Sequence, residues 1–122
     1  MDNDIKSFRD LNIWKQGITL VKNTYFLTDK FPANEKYGLA NQMQRAAVSI
    51  PSNIAEGHSN LHTKEYKRYL SIALGSLAEL ETQAVIASEL KYISQNHCQQ
   101  FIDKILEITK QIRAILKKLN SP

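Results

Sequence analysis

Four stretches of the chain place an apolar residue at every third or fourth position, the spacing that lays one stripe along an α-helix. In the first, Leu11, Trp14, Ile18, Val21, Tyr25 and Thr28 predict a helix over 10–29. Phe31-Pro32 then holds the chain extended, because a residue before proline avoids the helical region. A second helix is predicted over 33–57, with Glu35 in its first turn against the helix dipole and Leu39, Met43, Ala46, Ile50 and Ile54 on its buried face. Gly57 reads as its stop, ahead of a loop through His58, Ser59 and Asn60.

Thr63 is the expected N-cap of a long third helix over 63–92, with the stripe Tyr66, Leu70, Ala73, Leu77, Leu80, Ala84 and Ala87. Ser94 is placed to cap a fourth helix over 95–119, where Phe101, Ile105, Ile108, Ile112, Ile115 and Leu119 keep heptad spacing. Ile102, Leu106 and Leu116 lie beside that stripe, so they either widen contact with two neighbours inside one bundle or serve self-association.

Amphipathic helices each about 30 to 40 Å long, joined by short loops, predict an all-α, antiparallel up-down-up-down four-helix bundle in a single domain over 1–122. Four glycines and three prolines leave little punctuation for the many turns of a β-rich fold.

The second helix contains Pro51, which removes an amide donor and clashes with the carbonyl of Ala47, at a cost of about 3 kcal/mol when unrelieved. A fresh helix starting at Pro51 would last barely two turns before Gly57, so a kinked, continuous helix is the expectation. Gln42, Arg45, Ser49, Ser52 or Asn53, and Glu56 then form a polar stripe beside the apolar one. Gly75-Ser76 and Glu79 of the third helix are the expected partners, the glycine admitting a close helix and Arg45 pairing with Glu79 or Glu56 to fix register.

Catalytic chemistry finds no support. A nucleophilic Ser49 or Ser76 needs a base, and His58, His62 and His97 share a helical face with neither. His58 and His62 lie in the expected loop, no E-x-x-H motif of a di-iron bundle occurs, and Cys98 is the one cysteine. The chain is therefore read as non-enzymatic, with no metal and no cofactor. The N-terminal residues begin acidic with no apolar segment behind them, and nowhere do ~18 apolar residues run uninterrupted, so no export or membrane anchorage is expected. With a lone thiol, a reducing cytoplasm is the expected compartment.

A net charge of +4, from 16 basic and 12 acidic residues, leans toward anionic partners. The basic residues fall in stripes: Lys15 and Lys22 on the first helix, Lys64, Lys67 and Arg68 at the start of the third, and Lys110, Arg113 and Lys117 on the fourth. Such stripes suit salt-sensitive phosphate contacts without a base code, since no helix groups the Asn, Gln and Arg of a major-groove reader.

Four segments carry a resemblance: F-R-D-L-N-I-W-K-Q at 8–16, F-P-A-N-E-K-Y-G-L at 31–39, Q-R-A-A-V-S-I-P-S-N-I-A-E-G at 44–57 and Y-L-S-I-A-L-G-S-L-A-E-L-E-T at 69–82. Together they resemble the bacterial four-helix-bundle family of the proteins encoded by intervening sequences in 23S ribosomal RNA genes and of the accessory variability proteins of diversity-generating retroelements. The resemblance implies a homo-oligomer, pentameric in the best understood members, whose basic surface engages RNA, DNA or a reverse transcriptase without catalysis. The alternative, from a different class, is a protein-protein adaptor or assembly scaffold whose charge serves solubility.

Overall fold

In the computed structural model, which describes residues 5–121, two short 3-10 turns introduce the helices that follow them. The first, Phe8–Asp10, is closed by a capping box in which Ser7 accepts from Arg9 N and Asp10 accepts from the amides of Lys6 and Ser7. Helix α1 then runs Asn12–Thr28, α2 Leu39–Ser59, α3 Thr63–Glu89 and α4 Gln95–Leu119. Each helix packs on its sequence neighbours and α4 returns to α1, while the diagonal pairs stay apart, which is the up-down-up-down arrangement. The α2–α3 seam is the most extensive and the α1–α4 seam the least.

Helices α2, α3 and α4 bury the predicted stripes, with Met43, Ile50, Ile54, Leu70, Leu80, Ile105 and Ile112 fully enclosed. Ile102 and Leu116 pack against this core and only Leu106 of the extra α4 residues is exposed, so the wide arc of α4 chiefly serves its two neighbours. α3 has an 18-residue window of mean hydropathy 1.2, long enough to cross a membrane. Core burial accounts for part of that apolarity, 39% of the window being buried.

Helix α1 corrects the prediction. Its buried stripe is Ile13, Gly17, Leu20, Thr24, Leu27 and Thr28; of the predicted stripe Leu11, Trp14 and Val21 are only partly buried against the core, and Tyr25 is exposed. Gly17 lies there because a Cβ would stand 3.2 Å from the Pro51 ring of α2. Thr24 and Thr28 tolerate burial because their hydroxyls donate to the carbonyls of Leu20 and Thr24 at 2.7 and 2.9 Å.

The second helix starts six residues later than predicted, because 33–35 closes as a 3-10 turn. Gly38, at its N-cap position, has no side chain to cap with, and Glu35 does that work: Oε1 accepts from Leu39 N at 3.0 Å and Oε2 from the Tyr92 hydroxyl at 2.8 Å. A Cβ on Gly38 would sit 2.6 Å from the same carboxylate. The hydrogen bond from Leu39, and then that from Tyr92, hold the Glu35 carboxyl below its ordinary value of 4.5. A lowered folded-state pKa contributes stability above the unfolded value and loses it as pH falls through the folded one. Glu35→Gln is therefore expected to lower the melting temperature at pH 7, with the gap to wild type closing below about pH 4. Equal gaps at pH 7 and 3.5 in thermal melts followed by circular dichroism would refute this.

Gly57 is not a stop. It is buried inside α2, which continues to Ser59, and a Cβ there would stand 2.7 Å from Tyr69 Cβ and 3.2 Å from Tyr66 Cδ1. His58 accordingly lies in α2 and meets Tyr66 edge-on. Gly75, expected to admit a neighbouring helix, faces open space with nothing within 4 Å. His62, not Thr63, occupies the N-cap position of α3 and makes no side-chain cap. That helix closes earlier than predicted, with Lys91 left-handed at φ 68° and Tyr92 N donating to Ala87 O. Ser94 caps α4 as predicted, accepting from His97 N at 3.0 Å.

Candidate nucleic-acid interface

Antiparallel alternation brings the starts of α1 and α3 to the same end of the bundle as the ends of α2 and α4. The helices are level near their midpoints, where Ser49 of α2 hydrogen-bonds Ser76 of α3, and Gln111 of α4 donates to Gln16 of α1 at 2.8 Å nearer that end. Dividing each helix at its midpoint separates the charge. The half made of residues 5–19, 50–76 and 108–121 holds ten basic and three acidic side chains, the other half, 20–49 and 77–107, six basic and seven acidic. The charge of the described residues thus divides into a strongly basic end and a nearly neutral one. The longest helix spans about 40 Å, so the two ends lie well beyond a Debye length of ~10 Å at 0.1 M salt and act separately.

Seven of the eight predicted basic residues fall in the basic half: Lys15, Lys64, Lys67, Arg68, Lys110, Arg113 and Lys117. Lys22 lies in the other. Lys67 reaches across from α3 to Asn120 beyond the end of α4, Nζ to Oδ1 2.9 Å, and Asn120 shares a cleft with Arg113 and Lys117. These three cations, separated by up to 50 positions in the chain, converge on one spot. Arg68 is the most committed, donating to both oxygens of Glu65 at 3.2 and 3.4 Å and lying over the Tyr69 ring. That pair is the one ion pair among the described residues, which leaves the other stripe residues without a carboxylate partner. Lys118, Arg9 and Lys6 join the same end although they fall outside any stripe. Only the pairing of helix ends reveals them.

The polar stripe at Pro51 forms in part. α2 runs unbroken through the proline, Ser52 Oγ donates to Val48 O at 2.8 Å and Asn53 Nδ2 to Ser49 O at 2.7 Å, one and two residues past the freed Ala47 carbonyl. Ser49 and Ser76 join α2 to α3. Arg45 does not pair with Glu79 or Glu56. It is exposed and lines a cleft with Tyr25, on the α1 side of α2, while Glu79 takes a hydrogen bond from Gln83 instead. Arg45→Met should consequently shift stability by no more than about 0.5 kcal/mol, the range of surface substitutions. A loss of several kcal/mol in urea unfolding would show a buried ion pair after all.

The Ser49–Ser76 pair lies nine residues along α2 from His58, about 13 Å of helical rise, and His97 begins α4 at the other end. No histidine is placed to take a serine proton. Cys98 is buried, and that burial pushes its thiol up from its ordinary value. Among the described residues no three His, Cys, Asp or Glu side chains come together as a metal site.

The profile of a family described as 23S rRNA-intervening sequence protein matches residues 9–114. Among solved structures, the chain is similar to a protein of unknown function from the S23 ribosomal protein family of Bacteroides thetaiotaomicron. That match has 20% identity, covers 86% of this chain and 98% of the other, and superposes with a TM-score of 0.80. At that identity it speaks for the fold alone. No curated protein matches the chain. Of the two branches of the resemblance, these matches name the ribosomal RNA one.

Proposed function

This chain belongs to the 23S rRNA-intervening sequence protein family, and from that premise we propose that it is a non-enzymatic, cytoplasmic homo-oligomer that binds structured RNA, or another nucleic acid, through the basic end of its bundle. The observation that carries the reading is the segregation of charge, ten basic against three acidic side chains at one end, with Lys67, Arg113 and Lys117 gathered round Asn120. Lysine and arginine on helix ends contact phosphates and leave bases unread, so binding tolerates sequence and weakens with salt. In a ring of parallel subunits, of which a pentamer is the form the resemblance implies, every basic end falls on one rim and the attraction is multiplied. Neither step requires a reverse transcriptase.

Self-association draws on the outer face of α3, where Ile72, Val85, Ile86 and Leu90 are 40–50% exposed. The same face favours a second reading, an adaptor or assembly scaffold that binds protein and no nucleic acid. Fluorescence anisotropy with a labelled RNA hairpin, from 50 to 200 mM salt, separates the two. The nucleic-acid reading expects the logarithm of the affinity to fall with the logarithm of salt by about 0.9 per duplex phosphate contacted. Absent binding at 50 mM, or binding indifferent to salt, leaves the scaffold reading. Light scattering that finds a monomer at micromolar concentration removes the ring.

A further inference from the structure

The ring of helices closes least tightly between α1 and α4, where a cleft of about 310 Å³ opens beside the Gln16–Gln111 bridge. That volume is at the lower end of pockets that hold small ligands, ~300 Å³. Its floor is Leu20 and Ile108, each 1% exposed, and its surface is almost entirely carbon. The polar groups on its walls are partly engaged: Thr19 Oγ1 donates to Lys15 O, and Gln111 Nε2 donates to Gln16 Oε1 and to one oxygen of Glu107. Lys15 on α1 and Lys104 on α4 line the cleft, and neither forms an ion pair or side-chain hydrogen bond among the described residues.

An apolar slot flanked by two unpaired cations and one half-engaged carboxylate keeps a net positive charge, which favours an apolar body with an anionic head. Glu107 on the same cleft brings the local charge to a single positive, which suits a monoanion better than a phosphate dianion. We propose that the α1–α4 cleft binds a monocarboxylate with an aliphatic or aromatic body, its chain on Leu20 and Ile108 and its carboxylate held between Lys15 and Lys104. Charge complementarity chooses this occupant over a second copy of the chain, and Lys15 is the one residue the cleft shares with the candidate nucleic-acid interface.

Isothermal titration with decanoate, and with decanol as its uncharged analogue, tests the site. The expected result is saturable, one-to-one binding of decanoate at sub-millimolar concentration, at least about tenfold tighter than decanol. Lys15→Gln/Lys104→Gln should erase that preference while both probes still bind. Thr19→Trp, at an exposed wall position, should abolish binding of both with the melting temperature retained. Equal affinities for acid and alcohol, unchanged binding by the Trp variant, or no saturation below 1 mM would overturn the proposal. So would a changed oligomeric state of the Trp variant together with no decanoate binding to the wild type, since a second copy would then occupy the cleft.

Discussion

Replacing Gly57 by alanine should destabilise this protein by about 1–2 kcal/mol, roughly 5 °C or more in melting temperature, although alanine is the better helix former by about 1 kcal/mol. The reason is the α2–α3 seam. A methyl group there meets Tyr69 Cβ at 2.7 Å, an atom fixed to the α3 backbone and unable to swing aside, and Tyr66 Cδ1 and O stand at 3.2 and 3.4 Å. Overpacking of this kind typically costs 1–3 kcal/mol and more for a larger side chain, so Gly57→Val should be worse than Gly57→Ala. Gly75 supplies the control. It has no left-handed backbone and no atom within 4 Å, so Gly75→Ala should raise stability by about 0.5–1 kcal/mol. Urea unfolding of the two variants reads opposite signs from one chemical change. Two stabilising substitutions would mean that α2 and α3 are less closely apposed than described.

The second large effect is on binding. Replacing Lys110, Arg113 and Lys117 by glutamine should reduce the salt slope of RNA binding by about two to three units, with affinity at 0.1 M salt falling on the order of a hundredfold. All three side chains are exposed, so folding should be unchanged within about 0.5 kcal/mol. The comparison set is Lys22, Lys30 and Lys36, equal in charge but in the opposite half of the bundle. Their replacement by glutamine should leave the slope and affinity near wild type. If both triple variants lose binding equally, net charge and not the basic end governs association. If neither does, the phosphate contacts lie elsewhere.

Helix number, order and the buried faces of α2, α3 and α4 were legible because each is a periodic property of one continuous segment. α1 misled because two stripes with the same 3-4 spacing run side by side in it, and the one that packs inward contains Gly17 and Thr24, whose suitability depends on Pro51 and on their own carbonyls. The start of α2 misled because its cap is a glutamate four residues before Leu39, reached by way of a 3-10 turn. The stripes of the candidate interface were visible as local runs of lysine, but Lys22 and Lys15 looked equivalent on one helix while the fold sends them to different halves of the bundle.

Family membership, the all-α class and the absence of a local catalytic motif rest on residues close together in the chain. Tertiary structure alone decided the rest. Gly57 and Gly75 are the same residue in similar helices, and only what lies opposite makes one a contact and the other a gap. Arg45 lies one turn from Ser49, only about 40° away in helical phase, and both line the cleft beside Tyr25, yet Ser49 alone reaches α3 while Arg45 makes no ion pair with Glu79. The basic end is assembled from three separate segments, and charges so far apart in sequence become one field only when antiparallel packing brings their helix ends together.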